Sequence, residues 1–222
     1  MKVGTDGCLL GALAEGGSRI LDIGTGTGLL ALMMAQRFNG ARVEAVEIDA
    51  DAAADARDNF AASPWSDRLS LYEGAFQNFC AARVADGKFD SIVCNPPYFN
   101  NSLECPDQSR CRARHTSSLS FGELAAGVAE LLTADGVLSV VLPTDACAAF
   151  VGECAQCGLW PKMRYDIRTV PRKPAKRTVM VLSHSLVGAP QQCDCSLRNA
   201  DGTYSEWYCG LMGDFLLYVP KP

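Results

Sequence analysis

No apolar stretch of this sequence approaches the roughly 20 residues that a helix needs to cross a bilayer; the longest, such as residues 136–143, end well short of that. A charged and then apolar leader of the signal type is missing as well, so a soluble cytoplasmic protein with no membrane partner is expected. Positive charge is not in excess: 25 Asp and Glu face 20 Lys and Arg, a net charge of −5, which speaks against a surface uniformly suited to nucleic-acid phosphates. Histidine occurs only at His115 and His184. Internal repeats and low-complexity tracts are absent, which leaves no sign of a repeat architecture.

What is present suits one globular domain over residues 1–222: 48% of the residues are hydrophobic and 20% charged, enough to bury a substantial core at this length. A monomer is the expected state. Eleven cysteines is a high count, but an odd number scattered among core-type residues does not read as a disulfide framework, and most are expected as reduced thiols packed like small apolar side chains. Cys154, Cys157, Cys193 and Cys195 could be read as four zinc ligands. The first pair falls in a segment of helical period and neither histidine is spaced as a partner, so no metal is expected.

Apolar runs of strand length alternate with longer segments of helical period, the pattern of a mainly parallel sheet covered by helices. Strands are expected at 18–23, 42–48, 69–73, 89–94, 136–142, 163–169 and 178–183, and helices at 29–38, 50–62 and 121–132. The fold expected is therefore α/β and Rossmann-like, a seven-stranded, mainly parallel sheet with helices on both faces. The fourth strand runs into Asn95-Pro96-Pro97-Tyr98, where two prolines end ladder pairing. The loop beginning there lasts to about residue 118, a length that a compact domain normally keeps for a function.

Asp22-Ile23-Gly24-Thr25-Gly26-Thr27-Gly28 lies where the first strand turns into the first helix, and its glycines allow a ligand to approach the backbone closely. A dinucleotide fingerprint would need a further glycine at position 29, which is Leu29, and no hydride-transfer constellation accompanies the turn. S-adenosylmethionine, which has no pyrophosphate, fits better: Asp22 suits its ammonium group directly or through water, while Gly24 and Gly26 make room for its body. Glu47 ends the second strand about 20 residues further on, where an acid commonly accepts hydrogen bonds from ribose hydroxyls; Ile48 is placed to pack on an adenine. Each element alone has a purely structural alternative, and together they support one another.

At Asn95-Pro96-Pro97-Tyr98 the chemistry is specific. An exocyclic amino group conjugated to a ring is a poor nucleophile, and two acceptors that take its N–H bonds turn its lone pair toward a methyl donor. The Asn95 side-chain oxygen and the Pro96 carbonyl can serve, Pro97 helps hold that carbonyl at a fixed angle, and Tyr98 offers a face on which a planar substrate stacks. No charged general base is required.

At these residues the sequence resembles the class I amino-group methyltransferases with an N-P-P-Y motif and, more narrowly, the bacterial valine-tRNA adenine-37 N6-methyltransferases. The resemblance rests on residues 1–11 (Met-Lys-Val-Gly-Thr-Asp-Gly-Cys-Leu-Leu-Gly), 22–30, 46–49, 95–99 and on Tyr204-Ser205-Glu206, and covers nearly the whole chain. It implies methylation of an adenine N6 in tRNA, in the anticodon loop, with Lys2, Thr5 and Asp6 near the methionine end of the cofactor, Asn95 between cofactor and substrate, and Tyr98 and Phe99 at the substrate. Two departures are noted: the family's usual segment before the opening motif is not part of this sequence, and Ala75 stands where an acid often contacts the cofactor's adenine, leaving Glu73 or a backbone carbonyl to substitute.

Half of the twenty basic residues lie in two segments, at Arg110, Arg112 and Arg114 and between Lys162 and Arg177. Arg110, Arg112, Arg114, Arg172, Lys173, Lys176 and Arg177 are expected to grip tRNA, with solvated loop charges as the alternative. Two other functions share features of the sequence: a glutamine N5-methyltransferase acting on a protein such as a release factor, which also uses N-P-P-Y, and a non-catalytic binding module.

Overall fold

Strand-length apolar runs can bury both faces only in the middle of a layered structure, between helices. A computed structural model describes residues 4–83, 87–96 and 119–217 of the chain. Its strands are β1 (Arg19–Ile23), β2 (Arg42–Glu47), β3 (Leu69–Glu73), β4 (Phe89–Cys94), β5 (Leu132–Pro143), β6 (Trp160–Arg168), β7 (Arg177–Ser183) and β8 (Gln191–Ser196), joined in one sheet of order β3-β2-β1-β4-β5-β7-β6-β8. β7 is antiparallel to β5 and β6, and β8 is parallel to β6, so every strand except β7 runs the same way. The helices are α1 (Thr5–Leu13), α2 (Leu29–Arg37), α3 (Ala50–Ala62), α4 (Phe76–Arg83), α5 (Phe121–Leu131), α6 (Cys147–Gln156) and α7 (Glu206–Met212).

Successive strand residues point to opposite faces, and the core divides accordingly. Leu21, Ile23, Ile92, Cys94, Leu138 and Val140 pack under α4, α5 and α6 through Phe79, Leu124 and Phe150. Ile20, Val43, Ala45, Val93, Val141 and Val179 pack under α1, α2 and α3 through Leu10, Met34 and Phe60. Helix starts carry their own caps: Asp49 Oδ1 accepts from the Ala52 N–H at the head of α3, and Ser120 and Glu123 form a reciprocal capping box at the head of α5, which satisfies amides a helix start would leave unpaired.

The sheet departs from the expected seven strands by one. β8, Gln-Gln-Cys-Asp-Cys-Ser, is an edge strand in which only Cys195 is buried, so it carries no alternating apolar signal and is held by its backbone ladder to β6. β5 begins at Leu132 instead of residue 136, because Phe89 pairs with Leu132 and Ser91 with Val137, which leaves residues 133–136 in an irregularity of the ladder. α1, α4 and α7 were not legible from period: they are short, and the two apolar faces of α1 meet α2 on one side and α7 on another.

Between β1 and β4 the order of connection reverses, since α2 leads from β1 to β2 on one side while β4 lies on the other. The carboxyl ends of the strands at such a switch leave a crevice between diverging connections.

Candidate active site

A cleft of about 740 Å³ opens at that crevice, bounded by the turn after β1, the end of β2, the first turns of α3, the start of α4, the end of β4 and the first turn of α1. Gly24, Gly26 and Gly28 all adopt positive φ. At Gly24 the φ is +69° and a Cβ would meet nothing within 4 Å, so this glycine faces open space, whereas at Gly28, φ +88°, a Cβ would lie 2.5 Å from the Phe60 ring. The turn is stitched to β2 through Gly24 and Thr25 N–H bonds to the Val46 carbonyl, 2.9 and 3.1 Å.

Asp22 lies fully buried behind this turn. Its Oδ2 accepts from the Thr25 hydroxyl at 2.5 Å and from the Ala31 N–H at 3.0 Å, while Oδ1 is buried without a partner among the described residues. Burial pushes the carboxyl up to about 7; the two hydrogen bonds pull it down and the Glu47 charge adds to the rise. Glu47 is likewise buried and held by three amides: Gly26 N–H donates to Oε2 at 2.7 Å, and the Ile48 and Asp49 N–H groups donate to Oε1 at 2.9 Å each. Each carboxylate oxygen retains acceptor capacity beyond these bonds. Next to it Ile48 is 52% exposed, an apolar face turned to the cleft.

At the end of β3 the wall is made by Gly74, Phe76 and Gln77, residues that no motif in the sequence singles out. Ala75 is not part of that lining, its carbonyl accepts the Asn78 and Phe79 amides that start α4, and Glu73 is engaged with Arg57. The Gly74 N–H donates to the Glu47 carbonyl at 2.8 Å, so the β3 turn and the β2 carboxylate are built as one unit. The signal that could have found this wall is the Gly-Ala-Phe turn after a third parallel strand.

Asn95 and Pro96, the two residues after β4, line the cleft opposite Glu47. Gly4 and Gly7 of α1 line it too, and a Cβ on Gly7 would stand 3.8 Å from Asn95 Nδ2. Thr5 is exposed at the start of α1, and Asp6 pairs with Arg177, Nε to Oδ2 2.7 Å. Lys2, Pro97, Tyr98, Phe99, Arg110, Arg112 and Arg114 lie outside the described residues. Arg172, Lys173 and Lys176 are exposed in the β6–β7 connection. This connection lies at the same sheet edge as Asn95, because Arg177 pairs with Pro143 at the carboxyl end of β5. The other cations of the segment are paired within the fold: Lys162 with Glu15, Arg164 with Asp166 and Arg168 with Asp194.

The paired cysteines fall in ordinary structural positions. Cys154 is buried in α6, where desolvation pushes its thiol up to about 12, and Cys193 and Cys195 are in β8. Among the described residues no three metal-binding side chains come together and no disulfide forms.

The chain has known relatives. The model of the methyltransferase small domain family matches residues 3–145. A tRNA1(Val) (adenine(37)-N6)-methyltransferase from Phocaeicola vulgatus is 45% identical over 222 residues, covering 98% of this chain and 91% of that protein. One from Klebsiella pneumoniae is 37% identical over 225 residues, covering 99% and 89%. Among solved structures, a predicted O-methyltransferase from Agrobacterium tumefaciens superposes with a TM-score of 0.70 over 96% of this chain and 98% of that one; at 20% identity it shows the shared fold. The chain belongs to the methyltransferase small domain family and, within it, to the group of the tRNA1(Val) (adenine(37)-N6)-methyltransferases.

Proposed function

We propose that this protein transfers a methyl group from S-adenosylmethionine to the N6 amino group of an adenine in the anticodon loop of a tRNA, acting as a monomer in the cytoplasm. The observation that carries the reading is the position of Asn95 and Pro96 at the end of β4, in one cleft with the glycine turn and Glu47. The cleft fits the cofactor on two counts: the open side of Gly24 leaves room for the ligand's body, and Glu47 beside Ile48 offers acceptors next to an apolar face; Asp22, buried behind the turn and not part of the cleft lining, keeps an Oδ1 without a partner among the described residues as an acceptor for a cationic group. Thr5, Asp6 and Lys2 belong to the same proposed set at the methionine end.

When bound, adenosylmethionine supplies a methyl carbon on a sulfonium, whose C–S bond breaks as the N–C bond forms. Asn95 Oδ1 and the Pro96 carbonyl accept the two N–H bonds of the amino group, which draws its lone pair out of conjugation and aims it into the cleft. Pro97 limits the freedom of that carbonyl, and Tyr98 and Phe99 provide the stacking surface. The proton displaced from the methylated nitrogen passes to solvent, so no charged base is needed. The target base must leave its stack, which costs least in a loop that is already single-stranded. Arg110, Arg112, Arg114, Arg172, Lys173 and Lys176 meet the phosphates, steered by an otherwise acidic surface.

Incubating an unmodified valine tRNA transcript with the protein and methyl-labelled adenosylmethionine, followed by nucleoside mass spectrometry, tests this. N6-methyladenosine at one loop position is the expected product. Label on another base, or on protein glutamine with none on RNA, refutes the assignment.

A further inference from the structure

Arg177 differs from the loop it follows. Arg172, Lys173 and Lys176 are exposed, and among the described residues they form no ion pair. Arg177 turns back into the fold: its Nε donates to Asp6 Oδ2 at 2.7 Å, with the two side chains 37% and 23% exposed, and its Nη1 donates to the Lys176 carbonyl at 3.0 Å. Asp6 and Arg177 are 171 residues apart in sequence.

The two ends of this pair are held differently. Arg177 stands on the β5–β7 ladder opposite Pro143, and the neighbouring Thr178 hydroxyl donates to Asp166 at 2.6 Å. Asp6 belongs to the first turn of α1, whose N-cap, Gly4, provides no side-chain hydrogen bond. On either side of Asp6, Gly4 and Gly7 form part of the cleft wall, and Gly7 faces the Asn95 amide. An acid at a helix start is favoured by the helix dipole, and the Arg177 guanidinium directs it toward the sheet edge. A displacement of about 1 Å in a wall that sets reacting groups is enough to slow a reaction strongly.

We propose that Arg177 is a positioning residue: through Asp6 it clamps the first turn of α1 against the cleft, so this last cation of the basic segment serves the pocket and not the RNA phosphates. The inference rests on the methyl-transfer reading above and assigns one residue a different task within it. It separates two neighbouring sets of cations by what each removal changes.

Calorimetry with adenosylmethionine, tRNA binding across a salt series, and steady-state kinetics make the test. Arg177→Ala should weaken cofactor binding about fivefold, the size expected for a half-exposed ion pair, and lower kcat. It should leave the log-log salt slope of tRNA binding unchanged. Replacing Arg172, Lys173 and Lys176 together with alanine should flatten that slope by up to about three units, roughly one for each phosphate no longer neutralised, with cofactor affinity unchanged. Should Arg177→Ala fail to fold, Arg177→Lys, which keeps the charge and loses the Nε hydrogen bond, gives the same readings at smaller amplitude. A drop of about one unit in salt slope with unchanged cofactor affinity overturns the proposal. A parent protein that binds no adenosylmethionine refutes the reaction itself; a parent that binds it no better than Arg177→Ala does refutes only the clamp.

Discussion

Replacing Gly28 with alanine probes how the cofactor turn is built. The residue adopts φ +88°, and an added Cβ would stand 2.5 Å from Phe60 Cε1 and 3.2 Å from two further ring atoms. An L side chain in the left-handed region costs about 1–2 kcal/mol. Phe60 is buried in the same core cluster as Leu30 and Ala56, so overpacking adds about 1–3 kcal/mol. The total, about 2–5 kcal/mol, is a large share of the roughly 5–15 kcal/mol that holds a domain together. Gly24→Ala is the control: its φ is +69°, but a Cβ there meets nothing within 4 Å, so only the backbone cost applies. Urea denaturation without ligand should give a lower midpoint for both variants, at unchanged m-value, with Gly28→Ala the worse by about 1–3 kcal/mol. In a Phe60→Leu background, the penalty of Gly28→Ala should shrink toward that of Gly24→Ala, as a double-mutant cycle would register. Equal losses for the two glycines, or an undiminished penalty beside Leu at position 60, would refute the steric account. Cofactor affinity should follow the opposite logic, since the methyl of Gly24→Ala projects toward the space reserved for the ligand.

Asn95→Ala should cost about 100-fold or more in methyl transfer, the usual loss for an oriented acceptor, while calorimetry finds adenosylmethionine binding nearly unchanged; an equal fall in both would mark Asn95 as structural. Asp22 makes stability depend on pH. Its carboxyl titrates near 7 in the folded chain and near about 3.9 when unfolded, so between those values the folded state holds the extra proton. Ligand-free stability should therefore decline as pH rises from about 4 to about 7, and Asp22→Asn should flatten that decline. Urea midpoints at a series of pH values check it, and a parent profile that rises across the window contradicts it. Because a cationic ammonium favours ionised Asp22, cofactor affinity in the parent should fall by up to about tenfold for each pH unit below 7, and titrations in two buffers of different ionisation enthalpy should detect the released proton.

The local parts of this site were legible in the sequence because their physics is local. A strand followed by closely spaced glycines must turn sharply, and a strand followed by two prolines must stop, whatever surrounds them; Asp22, Glu47 and Asn95 could thus be assigned to the ends of β1, β2 and β4. Helical period likewise placed α3 and α5 within a residue of their ends. β8 was hidden because an edge strand needs no apolar alternation, and α1 because a helix covered on more than one side shows no polar stripe. Gln77 and Phe76 joined the site only through the packing of α4 beside β2, and Ala75 was excluded by the same packing.

Charge is where the sequence by itself reached its limit. It determined that half the cations lie in two segments, since composition is one-dimensional information. Which of them face solvent was decided by the partners that come within reach: Asp166 for Arg164 along the same strand, and Glu15 for Lys162, Asp194 for Arg168 and Asp6 for Arg177 from elsewhere in the chain. An ion pair forms where two side chains arrive within reach, and for Arg177 and Asp6 that meeting depends on β7 running antiparallel to β5 and delivering residue 177 to the edge where α1 begins.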